Sequence, residues 1–235
     1  MAIVALVFAG GSGMRMGADI PKQFIEIAGM PVLIRTLRLF QDHSLVDSII
    51  LVANRDFISK TKSLCERFDI SKVMEVVAGG DSAQDSIYNG LIAAKERFDD
   101  DTIVLLHDGV RPYVKTDVIS AVIDGVKKCG NAITCIPCYE TIVLSKNAID
   151  VDSIPCRGES YTAQAPQGFR LGDILTAHEM VRAMPERYDG LVDQATLYWK
   201  LRKPINLVKG NRGNIKITTP EDVVMLDALI RQDGI

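Results

Sequence analysis

The sequence predicts an α/β protein with a largely parallel sheet that is covered by helices on both faces. Apolar, strand-like runs alternate with amphipathic, helix-like segments through residues 1–137, and this alternation is typical of βαβ units. The chain has 235 residues, of which 47% are hydrophobic and 24% charged, so it suits a single domain at 1–235. Ligands of such sheets bind at the carboxyl ends of the strands, so we expect the functional residues in the loops that follow them.

The predicted elements follow the periodicity of the apolar residues. The strands are predicted at residues 2–8, 48–53, 72–77, 102–107, 131–137 and 205–209. The helices are predicted at residues 31–42, 56–67, 83–98, 115–128, 171–183, 190–202 and 220–232.

Residues 138–165 interrupt the alternation of strands and helices. A β-type run at 141–144 is followed by a polar turn at 145–147 and by a second extended stretch that ends near Pro155. This pattern predicts a hairpin arm that projects from the sheet. Because two strands bury too little apolar surface to be stable by themselves, the arm is expected to need a partner surface.

The composition argues against several classes of partner. A net charge of −3 disfavours nucleic acid, whose backbone calls for a basic surface, and no apolar run approaches the roughly 20 residues of a membrane span. No basic segment precedes residues 2–8, so they indicate a strand rather than a signal peptide. Five cysteines without an export signal predict reduced thiols and a cytoplasmic location. The C-x-x-C pair Cys135 and Cys138 has no second pair to complete a metal site, and we interpret both as packing residues.

The strongest local signal is the segment A-G-G-S-G-M-R-M-G at residues 9–17, directly after the first predicted strand. Its glycines permit a tight turn that brings backbone N–H groups against phosphate oxygens, and the Arg15 guanidinium suits the same ligand. The segment is not a G-x-G-x-x-G fingerprint, because Met16 takes the third position, and no Gly-Lys-Ser/Thr follows it as in a P-loop. Phosphate binding is favoured over a plain tight turn.

Lys22 follows this loop in the segment P-K-Q-F. A lysine beside a phosphate-binding loop can neutralise the charge that builds on phosphorus during substitution. The alternative is a solvated surface lysine, which is the commoner fate of a single lysine.

A second group of candidates occupies H-D-G-V-R-P at residues 107–112. Asp108 ends a predicted strand, where a carboxylate can serve a substrate hydroxyl or a divalent metal, and Arg111 can bind a second phosphate. The alternative is an Asp–Arg pair that only orders the loop. His107 lies in an apolar run and is interpreted as a packed histidine.

The last candidate, Lys216, lies in the segment N-I-K-I-T-T-P-E-D. It alternates with two isoleucines in a predicted strand, so its side chain faces away from theirs and can contact a phosphate; the default is a solvated lysine. Thr219 and Pro220 are typical of the start of a helix.

Six motifs, taken together and in order, resemble the cytidylyltransferases of the methylerythritol-phosphate and ribitol-phosphate type over essentially the whole chain. They are A-G-G-S-G-x-R-M-G, P-K-Q-F, G-G-D-S, H-D-G-V-R-P, A-P-Q-G-F and N-I-K-I-T-T-P-E-D. The resemblance implies a Rossmann-like three-layer α/β fold and a β-arm that embraces a second subunit in a homodimer. It also implies CTP as donor, a small polyol phosphate as acceptor, Mg²⁺ on the triphosphate and pyrophosphate as by-product.

The resemblance also implies roles for individual residues. The nucleotide would be bound by Ala9, Gly10, Gly11, Gly13, Gly80, Asp81 and Ser86. The charge at phosphorus would be stabilised by Arg15 and Lys22, with Lys216 on the phosphates. The acceptor would be held by Asp108, Arg111, Thr141 and Arg157, the last two from the partner's arm. The Mg²⁺ ion would be held mainly by the CTP phosphates, with Asp108 as a candidate ligand.

The chain departs from the family pattern around the acceptor. Ala83 stands where the family often has an arginine, with Gln84 next; Ala165 replaces the threonine of T-P-Q, and Glu140 replaces an aspartate in the arm. The A-G-G loop, like the segment I-P-x-R with Tyr161, resembles the ribitol-phosphate branch, which makes ribitol 5-phosphate the favoured acceptor and 2-C-methylerythritol 4-phosphate the alternative.

Two functions of other classes are disfavoured. An NAD-type dehydrogenase would need the missing third glycine and an acidic residue at the end of the second strand. A non-catalytic nucleotide-binding protein would not need both Arg15 and Lys22.

Overall fold

The computed structural model describes residues 1–11 and 20–233, so Gly13 and Arg15 lie outside the described residues. The strands are β1 (Ile3–Ala9), β2 (Glu26–Ile27), β3 (Met30–Pro31), β4 (Ser48–Ala53), β5 (Val73–Ala78), β6 (Ile103–Asp108), β7 (Asn131–Pro137), β8 (Tyr161–Arg170) and β9 (Leu207–Lys209). The helices are α1 (Val32–Gln41), α2 (Ile58–Arg67), α3 (Ala83–Lys95), α4 (Thr116–Cys129), α5 (Leu171–Arg182), α6 (Gln194–Lys200) and α7 (Pro220–Asp233).

Seven strands form the main sheet in the order β5-β4-β1-β6-β8-β7-β9. Strands β5, β4, β1 and β6 pair in parallel, and so do β7 and β9. Strand β8 pairs antiparallel with both β6 and β7 and is therefore inserted between two parallel groups. The predicted, mainly parallel α/β sheet is confirmed.

Helices cover both faces of this sheet and make three layers. One apolar cluster packs α1, α2 and α4 against one face, with Phe40 and Val122 fully buried. A second cluster packs α3, α5 and α6 against the other face, around Leu91, Ile174 and Leu197. Helix α7 closes a smaller cluster beside the loop after β6. The expected three-layer Rossmann-like architecture follows from these two covered faces.

Strand β8 was not predicted, and its first residues had been assigned to the arm. Its sequence Y-T-A-Q-A-P-Q-G-F-R carries two glutamines, a proline and a glycine, so it lacks the apolar run that marks the other strands. Residues 164–169 are nevertheless buried, because β6 and β7 flank the strand. The glutamines are accommodated there by hydrogen bonds.

The arm is consequently shorter than expected, since residues 161–165 belong to β8. Within residues 138–160 one antiparallel bridge joins Leu144 to Ser153, and the Leu144 amide donates to the Ser153 carbonyl at 2.8 Å. The apolar side chains of the arm are exposed: Val143, Leu144, Ile149, Val151 and Ile154. The arm projects as an antiparallel loop with an unburied apolar face.

The predicted strand at Lys216 is wrong. Residues 214–218 form no regular secondary structure, and the Ile217 amide donates to the carbonyl of Val110 in a loop at 3.0 Å rather than to a strand of the sheet. The expected alternation does hold, since Ile217 is buried and Lys216 is exposed.

All five cysteines are free, as expected for reduced thiols. Cys135 is buried in β7, where burial raises the pKa of its thiol to about 11. In the described part of the chain, no helix has both the length and the apolar character needed to cross a membrane.

Two buried histidines make the stability of this fold depend on pH. His178 is fully buried; it hydrogen-bonds Tyr188 Oη at 2.7 Å and Gln194 Oε1 at 2.8 Å, and burial lowers its pKa to about 4. His107 is also fully buried, and burial lowers its pKa to about 4. Since an unfolded histidine titrates near 6.5, the unfolded chain binds protons that the fold excludes between these values.

We therefore expect the free energy of unfolding to fall as the pH drops from about 6.5 towards 4, by up to about 1.4 kcal/mol per pH unit for each histidine. The variant His178→Gln should show a shallower pH slope over this range than the wild type, whatever its absolute stability. Urea unfolding at several pH values measures both slopes. Identical slopes would show that His178 has the same pKa in the folded as in the unfolded chain.

Candidate active site

A pocket of about 650 Å³ opens at the carboxyl ends of β1 and β6. This volume is ordinary for a small-molecule site. Ten of the predicted site residues line it: Ala9, Gly10, Gly11, Lys22, Gly80, Asp81, Ser86, Asp108, Arg111 and Lys216. Thr141 and Arg157 do not line it, because both lie exposed in the arm. The fold thus brings together residues that are far apart in the sequence.

The first loop of the pocket, at residues 9–11, is held by Gln23, whose role the sequence did not indicate. Gln23 is buried, and its Nε2 donates to the carbonyls of Ala9 and Gly11, both at 3.2 Å. A peptide N–H points opposite to the preceding carbonyl, so the bond to Ala9 turns the Gly10 N–H away from Gln23. Gln23 lies in the conspicuous P-K-Q-F segment, but only the fold shows what its amide holds.

The second loop, at residues 79–86, is closed by its own hydroxyl groups. Ser86 Oγ accepts from the Gly80 amide at 3.0 Å and donates to the Ser82 carbonyl at 2.9 Å. A side chain at Gly80 would bring its Cβ within 2.5 Å of Asp85 Cβ, so the turn requires glycine. Asp85 is in turn held by Arg182 at 2.6 Å. These contacts hold the loop in one conformation, and the side chain of Asp81 is exposed on it.

Asp108 lies at the centre of an ion-pair cluster. Its Oδ1 accepts from Lys216 Nζ at 2.7 Å and its Oδ2 from Arg111 Nε at 2.8 Å. Arg111 Nη1 also donates to the Asn214 carbonyl at 2.9 Å, which ties the loop after β6 to the segment before α7. Burial alone would raise the pKa of Asp108, but Lys216 and Arg111 hold it at about 2, so the carboxylate is ionised throughout the neutral range.

This cluster has features of both alternatives left open by the sequence. The Asp108–Arg111 pair does order its loop, but it also faces the pocket and leaves guanidinium N–H groups beside it. Lys216 is 43% exposed and paired, so it is a positioned cation at the mouth of the pocket.

Lys22 is positioned in the same way. It opens a short 3-10 turn, Lys22–Phe24, and its Nζ donates to the Ile217 carbonyl at 3.0 Å. The neighbouring residue of that carbonyl is Lys216, so two ammonium groups are anchored on one segment of chain. Lys22 is a pocket residue rather than a solvated surface lysine.

His107 takes the packed role that was predicted for it. Its ring meets the Phe40 ring edge-on at 5.1 Å between centroids, and its Nε2 hydrogen-bonds the Arg111 carbonyl at 3.0 Å. With a pKa of about 4, lowered by burial, it is neutral at physiological pH.

The far wall of the pocket comes from β8 and from the segment that precedes α6. It consists of Ala163, Gln164, Ala165, Gln167, Val192, Asp193 and Gln194. The A-P-Q-G-F motif indicated part of this wall, but no sequence signal indicated Asp193. Its proximity to β8 depends on the packing of α6.

Among the described residues, no group of three or more acidic, histidine or cysteine side chains could hold a metal ion by itself. Asp108, the candidate ligand, offers a single carboxylate, and each of its oxygens already pairs with a cation. A Mg²⁺ ion at this site would therefore depend on substrate phosphates for most of its ligands, as Mg²⁺ often does.

The arrangement suits phosphate chemistry. Three positioned cations, Lys22, Arg111 and Lys216, line the pocket together with Gly10 and Gly11. Neither a Ser–His nor a Cys–His pair is present among the described residues of the pocket lining, so these residues offer charge and orientation rather than a nucleophile.

The Gln23 amide offers a direct test of the first loop. In Gln23→Met the side chain keeps its length but loses both hydrogen bonds to the loop carbonyls. We expect CTP to bind about 10-fold more weakly or worse, since a broken buried hydrogen bond costs about 1–3 kcal/mol. Isothermal titration calorimetry measures this affinity.

Gln41→Met is the matched control, because Gln41 bonds Ser71 and the Lys72 amide away from the pocket. It should leave CTP affinity unchanged. An unchanged affinity in a folded Gln23→Met variant would show that the loop keeps its shape without this amide.

Comparisons with known proteins find relatives over nearly the whole chain. The family model described as IspD, 2-C-methyl-D-erythritol 4-phosphate cytidylyltransferase, matches residues 3–232. A ribitol-5-phosphate cytidylyltransferase of Vibrio parahaemolyticus serotype O3:K6 is 42% identical over 97% of this chain and 95% of its own. A 2-C-methyl-D-erythritol 4-phosphate cytidylyltransferase of Geobacter metallireducens is 39% identical over 99% of each chain.

Among solved structures, a 4-diphosphocytidyl-2C-methyl-D-erythritol synthase from Anaerococcus prevotii superposes with a TM-score of 0.83 at 29% identity, over 98% of this chain and 96% of its own. The match of the family model covers nearly the whole chain, and the likeness in fold extends over the same length. The resemblance stated from the motifs is therefore confirmed, and the chain belongs to the 2-C-methyl-D-erythritol 4-phosphate cytidylyltransferase family.

Proposed function

We propose that the protein transfers CMP from CTP to a small polyol phosphate and releases pyrophosphate. The observation that carries this proposal is the pocket in which Gly10 and Gly11, directly after β1, lie with three positioned cations. Membership of a cytidylyltransferase family supports the reaction class.

In the proposed reaction, an oxygen of the acceptor's phosphate attacks the α-phosphorus of CTP in line with the departing pyrophosphate. A new P–O bond forms as the bond to pyrophosphate breaks. The attacking oxygen is already an anion at neutral pH, so no general base is needed. Catalysis then consists of positioning and of neutralising charge at phosphorus.

The described residues divide this work between them. Gly10, Gly11, Gly80 and Ser86 would cradle the nucleotide, with Ala9 and Asp81 beside them. Lys22 and Lys216 would neutralise charge on the phosphates, and Arg111 would hold the phosphate of the acceptor. Arg15, outside the described residues, is proposed to act with Lys22. Mg²⁺, bound mainly by the triphosphate, would neutralise further charge there.

Ribitol 5-phosphate is the favoured acceptor. The relative from Vibrio parahaemolyticus, at 42% identity, carries that activity in its name, and the A-G-G loop resembles the same branch. The alternative, 2-C-methylerythritol 4-phosphate, is supported by the Geobacter metallireducens relative at 39% identity.

The arm supports a proposal of homodimers in which each arm completes its neighbour's site. Its exposed apolar side chains, such as Ile149 at 85%, would be buried by a partner subunit. Thr141 and Arg157 would then reach the partner's pocket, which they do not line in their own chain. A cytoplasmic location is proposed from the free thiols, which suit a reducing compartment.

An assay of pyrophosphate release separates these alternatives. With CTP and Mg²⁺, we expect ribitol 5-phosphate to give a higher kcat/KM than 2-C-methylerythritol 4-phosphate, and ATP, GTP and UTP to be poor donors. Chelation of the metal with EDTA should abolish turnover. Higher activity with the methylerythritol phosphate would reverse the assignment of the acceptor, and better turnover with UTP or ATP would reject the donor.

Subunit complementation tests the role of the arm. Lys22→Ala and Arg157→Ala should each be nearly inactive alone, because each removes a cation from every site. In a mixed population, half of the dimers would pair unlike chains, and each of these would hold one intact site, so about a quarter of wild-type activity should return. Monomers that are fully active, shown by light scattering, would refute the arrangement. No recovery despite proven exchange would place Arg157 in its own chain's site.

A further inference from the structure

The pocket distributes its charges unevenly. The described cations that line it, Lys22, Arg111 and Lys216, come from the loops after β1 and β6 and from the segment before α7. The far wall, made by β8 and the segment before α6, has no cation among its described residues and carries one carboxylate, Asp193. Phosphates are drawn to the first side and repelled by the second. We therefore expect the part of a ligand that lies against the far wall to carry no negative charge.

Asp193 is held rigidly in this wall. Its Oδ2 accepts from Gln167 Nε2 at 3.0 Å, and its Oδ1 accepts from the Thr196 amide at 2.8 Å. No lysine or arginine of the described residues forms an ion pair with it. Each oxygen of an ionised carboxylate can accept two hydrogen bonds, so Asp193 keeps capacity for further donors.

The neighbouring polar side chains of the far wall already form hydrogen bonds within the protein. Gln167 Oε1 accepts from the Gln194 amide at 3.1 Å, while its Nε2 serves Asp193. The Gln164 amide donates to the carbonyls of Asn211 and Asn214. The other side chains there are Ala163, Ala165 and Val192, which offer no hydrogen bond. Among the described side chains that line this wall, Asp193 is the one carboxylate, and it is therefore the strongest hydrogen-bond acceptor there.

Residues behind the far wall hold it in place through further hydrogen bonds. Gln194 is 2% exposed; its Oε1 bonds His178 Nε2 at 2.8 Å and its Nε2 donates to Gln84 Oε1 at 3.2 Å. His178 in turn bonds Tyr188. The Asp193 carboxylate is therefore held in place before a ligand binds. The amides of Gln194 and Thr196, at the start of α6, donate to Gln167 and Asp193 and are not available to a ligand.

We propose that Asp193 is the residue that binds hydroxyl groups of the polyol acceptor and thereby selects a polyol phosphate. This proposal rests on the proposed function. The donor ribose also carries hydroxyl groups, but the loops assigned to the nucleotide lie at residues 9–11 and 79–86. Asp193 contacts Gln167, which pairs with Leu106 two residues before Asp108, on the side assigned to the acceptor.

Equilibrium binding of ribitol 5-phosphate to wild type and to Asp193→Asn, measured by calorimetry, tests the proposal. Asparagine retains the size of the side chain and its ability to cap α6, but it replaces a charged acceptor by an amide. We expect about 10-fold weaker binding or more, because a hydrogen bond to a charged group contributes about 1.5–3 kcal/mol. Inorganic phosphate, which has no polyol, should bind both proteins equally. In turnover, KM for the acceptor should rise while KM for CTP is unchanged.

Thr196→Val is the matched control. Thr196 Oγ1 accepts from the amides of Val192 and Asp193 and supports the same helix start, but it does not line the pocket. It should lower thermal stability without weakening the binding of ribitol 5-phosphate. Asp193→Ser, which still caps the helix but withdraws from the pocket, serves if the asparagine variant does not fold, and it should show the same loss.

Equal weakening in Thr196→Val and Asp193→Asn would reduce Asp193 to a helix cap and overturn the proposal. So would unchanged binding of ribitol 5-phosphate, or a rise in KM for CTP alone, which would assign the carboxylate to the ribose. A wild type that binds ribitol 5-phosphate through Asp193 but releases no pyrophosphate would refute the proposed function and leave this inference standing.

Discussion

The candidate site depends on the two ion pairs of Asp108. This carboxylate ends β6, and through Lys216 and Arg111 it joins the centre of the sheet to the segment before α7, which lies 108 positions away along the chain. The segment in turn holds Lys22 through the Ile217 carbonyl. One anion therefore sets the positions of the described cations. Because Lys216 and Arg111 hold its pKa at about 2, the carboxylate is ionised throughout the neutral range.

Glutamine side chains position the other parts of the pocket, as Asp108 positions the cations. Gln23 holds the first loop, Gln164 holds the loop at 211–214, and Gln167 joins β8 to the start of α6. An amide both donates and accepts, so a buried glutamine can join two backbone segments without introducing a charge. These hydrogen bonds hold the pocket in shape before a ligand binds. Such preorganisation is the source of catalysis expected when the nucleophile is already ionised.

The pocket has a cationic side and a far wall that carries no described cation, which matches a ligand with its negative charge at one end. A polyol phosphate is such a ligand, with a dianionic phosphate at one end and hydroxyl groups along the rest. The departures from the family pattern at Ala83 and Ala165 fall on or beside the far wall. Gln84, next to Ala83, accepts a hydrogen bond from Gln194 and so belongs to the network behind Asp193.

The sequence by itself determined the alternation of strands and helices, the loops at the carboxyl ends of the strands and the identity of most charged residues in the site. These features are local, because apolar periodicity and glycine-rich segments can be recognised from residues that lie close together in the sequence. The tertiary structure decided where β8 inserts, that Lys216 lies outside the sheet, and that Gln23, Gln167 and Asp193 belong to the pocket. Those outcomes depend on contacts between distant segments: β8 has a polar sequence that is buried only because β6 and β7 flank it, and Asp193 reaches the site only because α6 packs beside β8.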